Sequence, residues 1–145
     1  MPGATSCSIL VPSLFELDTM ARLMPAFSKI SSAEKGWRMI PAKKGKPAVS
    51  HWELVAELGP HSLIRFHPET GRTHQIRVHL ASAGFPIAGD DKYGDFELNR
   101  HLAKIGLKRM FLHAWRLRLT HPVTSSPLEL HAELPGELQN WITVE

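Results

Sequence analysis

The chain has 145 residues, one domain's worth, with an ordinary hydrophobic fraction of 43% and charged fraction of 21%. Its single cysteine, Cys7, excludes a disulfide within the chain and points to a reducing, cytoplasmic setting, and no apolar stretch approaches the roughly eighteen residues needed to span a bilayer. A net charge of +3 and a pI of about 9.2 lean mildly toward a polyanionic partner such as RNA.

The opening "MPGATSCSILVPSLFELD" lacks a basic leader, and Pro12 interrupts its short apolar run, which argues against a signal peptide. Cys7 has no cationic neighbour in sequence to lower its pKa and reads as inert. "LFELDTMARLMPAF" suits a short helix from Glu16 to Met24, stopped by Pro25. Residues 1–29 are set apart as an atypical N-terminal segment, open to partial disorder, and residues 30–145 as the domain proper. The basic run Lys43, Lys44, Lys46, interleaved with Pro41, Gly45 and Pro47, reads either as a solvated turn or as a phosphate-contacting loop.

From Ala48 the pattern becomes regular. "AVSHWELVAEL" and "SLIRFHP" predict two strands joined at Gly59-Pro60. Thr73 is the expected N-cap of a helix that stops at Gly84. At about 100° per residue, Ile76, Leu80 and Ala83 share one face, while Val78 and Ala81 lie opposite, so the helix is covered on both sides. Arg77 has small apolar neighbours on that wheel and needs a carboxylate or phosphate partner, because desolvating it unpaired costs several kcal/mol. A structural glutamate on a neighbouring strand is one candidate. Arg72 precedes the N-cap, where an anion is favoured.

"GFPIAGDDKYGD" reads as a long irregular loop in which Asp90 caps or receives an arginine; its aspartates have the wrong spacing for a calcium loop. Phe96–Gly106 is a second helix, with Leu98, Leu102 and Ile105 at helical spacing. "LHAWRLRLTHP" alternates Trp115, Leu117 and Leu119 against Arg116, Arg118 and Thr120, and "LELHAEL" (Leu128–Leu134) alternates likewise across a Pro- and Ser-rich turn. Pro135–Ile142 closes the chain as a short helix. Antiparallel pairs with helices between them make an α+β domain. His74 and His79 stand at i, i+5 and the other histidines are scattered, so no metal site is expected.

Three strings, "GKPAVSHWELVAE", "PETGRTHQIRVHLASAGFPIAGDDKYG" and "MFLHAWRLRLTHPVT", resemble in order and content the C-terminal part of the catalytic domain of RluA/RluC/RluD-type pseudouridine synthases. The resemblance spans about Ile30 to Trp141. It implies a mixed, mainly antiparallel bent sheet with flanking helices, and RNA (ribosomal or transfer RNA) lying across a basic cleft. The implied reaction isomerises uridine to pseudouridine without a cofactor: an aspartate triggers cleavage of the N-glycosidic bond, the uracil turns, and C5 rejoins the ribose. The target base must first leave its stack.

By that resemblance Arg77 is the salt-bridge partner of the catalytic aspartate. Leu112 becomes a candidate wall of the uracil pocket, and Arg72, His74, Lys43, Lys44 and Arg116 candidate RNA contacts. The family's H-R-L-D-x-x-T-S-G string, which carries the aspartate, and its K-x-Y string do not occur here. Asp18, in "FELDTMA", is only a faint echo of the first, so Arg77 is expected to be the partner of a missing aspartate. The chain is accordingly expected to be a truncated domain, not competent by itself. The alternatives are a non-catalytic RNA-binding module and a degenerate remnant.

Overall fold

The computed structural model describes residues 4–12, 28–32, 39–41 and 45–142. Lys43, Lys44, Asp18 and the helix expected over Glu16–Met24 lie outside these residues. Among the described residues the chain order is β1 (Ala4–Pro12), β2 (Ser28–Ser32), β3 (Met39–Pro41), β4 (Lys46–Ala48), β5 (Ser50–Leu58) and β6 (His61–Pro68). There follow α1 (Gln75–Ser82), α2 (Phe96–Lys104), β7 (Leu112–Thr120), β8 (Pro127–His131) and α3 (Gly136–Gln139). Two sheets form, one of order β5-β6-β1-β7-β8 and one of order β3-β2-β4, and every pairing is antiparallel.

The hairpin at Gly59-Pro60 is present, with Leu58 opposite His61. Two alternations that look regular in sequence break in register. β5 shifts between Leu54 and Ala56, which leaves Val55 as an extra residue. β7 carries Trp115 as the extra residue between Ala114, opposite Cys7, and Arg116, opposite Ser6. A bulge of this kind bends a strand and re-aims its side chains, which a period-2 pattern cannot foresee. Strand β8 ends at His131 rather than Leu134.

β1 deserves its place at the centre of the larger sheet through pairing on both edges: Cys7 faces Phe66 on β6, and Ile9 faces both Ile64 on β6 and Leu112 on β7. Residues 4–12, set apart in the sequence as atypical, are thus integral to the sheet. Cys7 and Ile9 are buried in the same cluster as Ile64, Phe66, Leu80, Phe85 and Ile87.

Strand β6 is buried continuously from His61 to Ile64 because both of its faces are covered. Ile64 and Phe66 meet α1 on one face, whereas Leu63 packs with Ala88, Leu102, Leu107, Phe111 and Leu138 on the other. Phe66 and Phe111 are the largest fully buried side chains of the two clusters. Truncation of either to alanine costs about 3–5 kcal/mol by the usual cavity cost.

α1 is covered on two sides, as its wheel predicts. Leu80, with Ile76 and Ala83 beside it, joins the large-sheet core, while Val78, with Ala81 beside it, packs on Ala48 and Tyr93. The helix lies against β6 and β3 and so stands between the two sheets. Its end is closed at Gly84, with Phe85 N–H bonded to the Leu80 carbonyl and Gly84 N–H to that of Ala81. α2 ends in the same way, Leu107 N–H reaching the Leu102 carbonyl. No helix among the described residues is long and apolar enough to cross a membrane.

Candidate functional site: an arginine turn and its aspartate clamp

The turn that enters α1 is built by Gln75, the first residue of the helix. Its side-chain oxygen accepts from the Arg72 backbone N–H at 3.0 Å and from the Thr70 hydroxyl at 2.6 Å. Its amide nitrogen donates to the Val49 carbonyl at 2.8 Å and to Ser50 Oγ at 2.9 Å. Thr70 Oγ1 in turn accepts from Val49 N–H, so the turn is knotted to the start of β5 through one buried side chain. Ser50 Oγ, which accepts from Gln75, also shares a buried 2.8 Å hydrogen bond with His79 Nδ1. Burial holds the His79 imidazole below its ordinary pKa.

The helix starts one residue later than the sequence suggests. The capping position is His74 rather than Thr73, and it has no side-chain cap hydrogen bond. The reach of Gln75 back to Arg72 N–H tightens the turn and drives His74 into a left-handed conformation, with φ at 53°. That is a conformation a non-glycine residue adopts at some energetic cost. Its ring is fixed by a 2.8 Å bond between Nδ1 and the Tyr93 hydroxyl. Burial first, then the Arg77 and Lys92 cations, push the His74 pKa down, and Asp90 opposes them.

Arg77 lies one turn into α1 and is clamped by Asp90. Arg77 Nε donates to Asp90 Oδ2 at 2.9 Å and Nη2 to Oδ1 at 2.6 Å, while the guanidinium lies 5.0 Å over the Tyr93 ring. Asp90 Oδ1 also accepts from the backbone N–H groups of Lys92 and Tyr93, at 2.9 and 3.0 Å. The carboxylate side chain is 1% exposed and that of Arg77 14%. Burial raises the Asp90 pKa, but the guanidinium and the two N–H groups outweigh it and leave the carboxyl below its usual range.

The loop behind Asp90 is held close by two glycines and Asn99. Asn99 on α2 donates to the Asp90 carbonyl at 2.7 Å and accepts from Gly89 N–H at 2.8 Å. A Cβ on Gly94 would collide with the Asp90 carbonyl, and one on Gly89, where φ is +80°, with the Arg109 carbonyl. Both positions therefore exclude a side chain.

The chain that carries this turn and clamp is similar to known proteins. The sequence profile described as RNA pseudouridylate synthase matches residues 17–82. A ribosomal large subunit pseudouridine synthase C of Vibrio vulnificus is 43% identical over 98 residues, covering 68% of this chain and 31% of its own length. The chain belongs to the RNA pseudouridylate synthase family. An uncharacterized RNA pseudouridine synthase of Zymomonas mobilis is 44% identical over 108 residues, covering 74% of this chain and 46% of its own length. Among solved structures, human RNA pseudouridylate synthase domain containing 1 matches with a TM-score of 0.68 at 23% identity, over 97% of this chain and 59% of that one. The likeness confirms the α+β fold of a partial pseudouridine synthase catalytic domain. The chain spans about a third to just under a half of these two bacterial relatives.

Within this synthase fold the expected site residues fall into two groups. Arg72, His74 and Arg77 are brought together by the turn and α1, whereas Leu112 and Arg116 lie on β7. Leu112 packs against the core cluster at the start of that strand. Arg116 stacks on Trp115 at 4.8 Å, with Arg65 at 4.7 Å from the same ring.

In this structure Arg77 meets Asp90, thirteen residues on. The need for a carboxylate or phosphate was legible from the apolar wheel around Arg77, and Asp90 was legible as a residue that could receive an arginine. That the two meet was not, because it takes the tightly bonded loop to bring Asp90 back against α1. Arg72, by contrast, keeps only its Nε engaged, on the Pro47 carbonyl at 2.8 Å; among the described residues its terminal nitrogens have no partner. Sequence reasoning passed over Gln75, Thr70, Ser50 and Asn99. A glutamine at the head of a helix, two residues after Thr73 and five after Thr70, was the only available signal.

Proposed function

We propose that this chain forms the arginine-turn part of a uridine-isomerising active site, with ribosomal or transfer RNA as its partner, and that by itself it binds RNA without isomerising it. The observation that carries the reading is the division of labour between the two arginines. Arg77 is satisfied internally, whereas among the described residues the terminal guanidinium nitrogens of Arg72, beside the strained His74, have no partner. A guanidinium of this kind suits a phosphate or carboxylate, which it engages through paired N–H donors. Leu112 and Arg116 on β7 are further proposed RNA contacts, and so, from the sequence, are Lys43 and Lys44.

Asp90 does not serve as the reacting carboxylate. Both of its oxygens accept hydrogen bonds, and the residue is fully buried. A nucleophile or acid-base group has to reach the glycosidic carbon. The reaction therefore calls for a further aspartate, of the kind the H-R-L-D string supplies in the family.

Two measurements test the proposal. RNA carrying C5-tritiated uridine should release no tritium in the presence of this chain alone, and release at a catalytic rate would refute the claim that it lacks competence. Binding to the same RNA should weaken steeply as salt rises, because phosphate contacts release counterions. Binding that is absent, or insensitive to salt, would remove the RNA reading.

A further inference from the structure

A second surface lies on the far side of the Asp90 loop. A groove of about 340 Å³ runs between α2 and residues 107–109, in the size range of small-ligand sites. Ala103 and Leu107 contribute to its lining, and Phe96, at the first turn of α2, stands beside it 54% exposed. Phe96, Arg100 and Ala103 are spaced at i, i+4 and i+7 and so share one helix face.

The charges around the groove are unbalanced. Arg100, Lys108 and Arg109 line it, against the single carboxylate of Asp91. Asp91 lies 3.5 Å from Arg77, so part of its charge is directed away from the groove. Arg109 pairs with Glu137 at 3.0 Å, both side chains being well exposed. Arg100 and Lys108 have no hydrogen bond or ion pair among the described residues.

An exposed phenylalanine alone would mean nothing, and neither would two surface cations. Together in one concave site they match a ligand with a flat apolar face and an adjoining anion. We infer that this groove is a nucleotide subsite for single-stranded RNA, in which a base stacks on Phe96 and its flanking phosphates meet Arg100 and Lys108. Such pairing of aromatic platform and cations is how single strands are held without reading their sequence. Gly89 lines the groove, and its neighbour Asp90 clamps Arg77, so the groove and the arginine turn are the two sides of one rigid loop. An RNA strand engaging the turn has a second anchor there. This inference rests on the RNA reading above.

Fluorescence anisotropy of a labelled oligouridylate with the full chain tests it. Phe96→Ala should weaken binding about tenfold, the effect of losing one stacked base. The double variant Arg100→Gln, Lys108→Gln should reduce the slope of log affinity against log salt by about 1.4, two single-strand phosphate contacts. All three side chains are exposed, so thermal melts should coincide with the wild type, and the charge variants provide a readout independent of Phe96. If the wild type binds and both variants bind equally well, the groove assignment is refuted while the RNA reading stands. If the wild type fails to bind the oligouridylate but binds ribosomal or transfer RNA, the groove assignment is refuted and the RNA reading stands; if it binds neither, both fail. If polyglutamate binds as tightly and with the same sensitivity to Phe96→Ala, the groove serves an acidic polypeptide and the nucleotide assignment is wrong.

Discussion

Replacing Asp90 with asparagine would test the clamp directly. Asparagine can keep an oxygen at the Oδ1 position and still accept from Arg77 Nη2 and from the Lys92 and Tyr93 N–H groups. Its amide nitrogen then faces Arg77 Nε–H, donor against donor, in place of the 2.9 Å bond to Oδ2. The larger loss is the charge, because Arg77 remains a nearly buried cation. Removing one partner of a buried pair costs about 3–5 kcal/mol. The 14% exposure of Arg77 and its contact with the Tyr93 ring favour the lower end, about 3 kcal/mol. In a domain of this size that lowers the melting temperature by about 10 °C.

Acid provides a second readout of the same pair. The Asp90 pKa is depressed in the folded state, so its stabilisation is complete above the unfolded value of about 3.9 and is lost as pH falls through the native value. The asparagine variant has no such group, and the gap between the two proteins should narrow below about pH 4. Urea titrations followed by the fluorescence of the four tryptophans measure both quantities. A loss below about 1 kcal/mol at neutral pH, the level of an exposed pair, or a gap that persists undiminished in acid, would refute the assignment of a stabilising buried clamp.

Gln75→Ala should cost about 2–3 kcal/mol in the same titrations, because it strands four partners around a buried turn, and a change near zero would mean water replaces the amide. The His79, His61 and His74 pKa values are all lowered, by burial first, so each favours the folded state fully above about pH 6.5 and loses that contribution as pH falls toward its native value. The melting temperature should therefore drop on acidification from neutral pH, and less so in His79→Asn; a flat profile would contradict the burial of these rings. Burial pushes the Cys7 thiol up to about 11, so a disulfide reagent at mildly alkaline pH should label it only after denaturation, and rapid labelling of the native protein would show β1 to be open.

Much of the framework was legible because it depends on local pattern. The two-faced character of α1, the hairpin at Gly59-Pro60 and the stop at Gly84 follow from periodicity and from turn chemistry, which act over a few residues. The bulges at Val55 and Trp115 were not legible. An extra residue in one strand is defined only by the register of its partner. The central position of β1 was hidden for a similar reason, since a short apolar run carries no sign of where in a sheet it will pair.

The site divides along the same line. The sequence by itself determined that Arg77 sits among apolar neighbours and must meet a carboxylate or a phosphate, and its "TGRTHQIRVH" string pointed to the lineage. Only the tertiary structure decided which carboxylate. Asp90 is thirteen residues away, and Asn99 and two glycines hold its loop against α1. Helical spacing shows what one face of a helix requires, but the partner comes from long-range closure of the chain, which no local periodicity records. That closure satisfies Arg77, while in the turn before it Arg72 keeps terminal nitrogens that have no partner among the described residues.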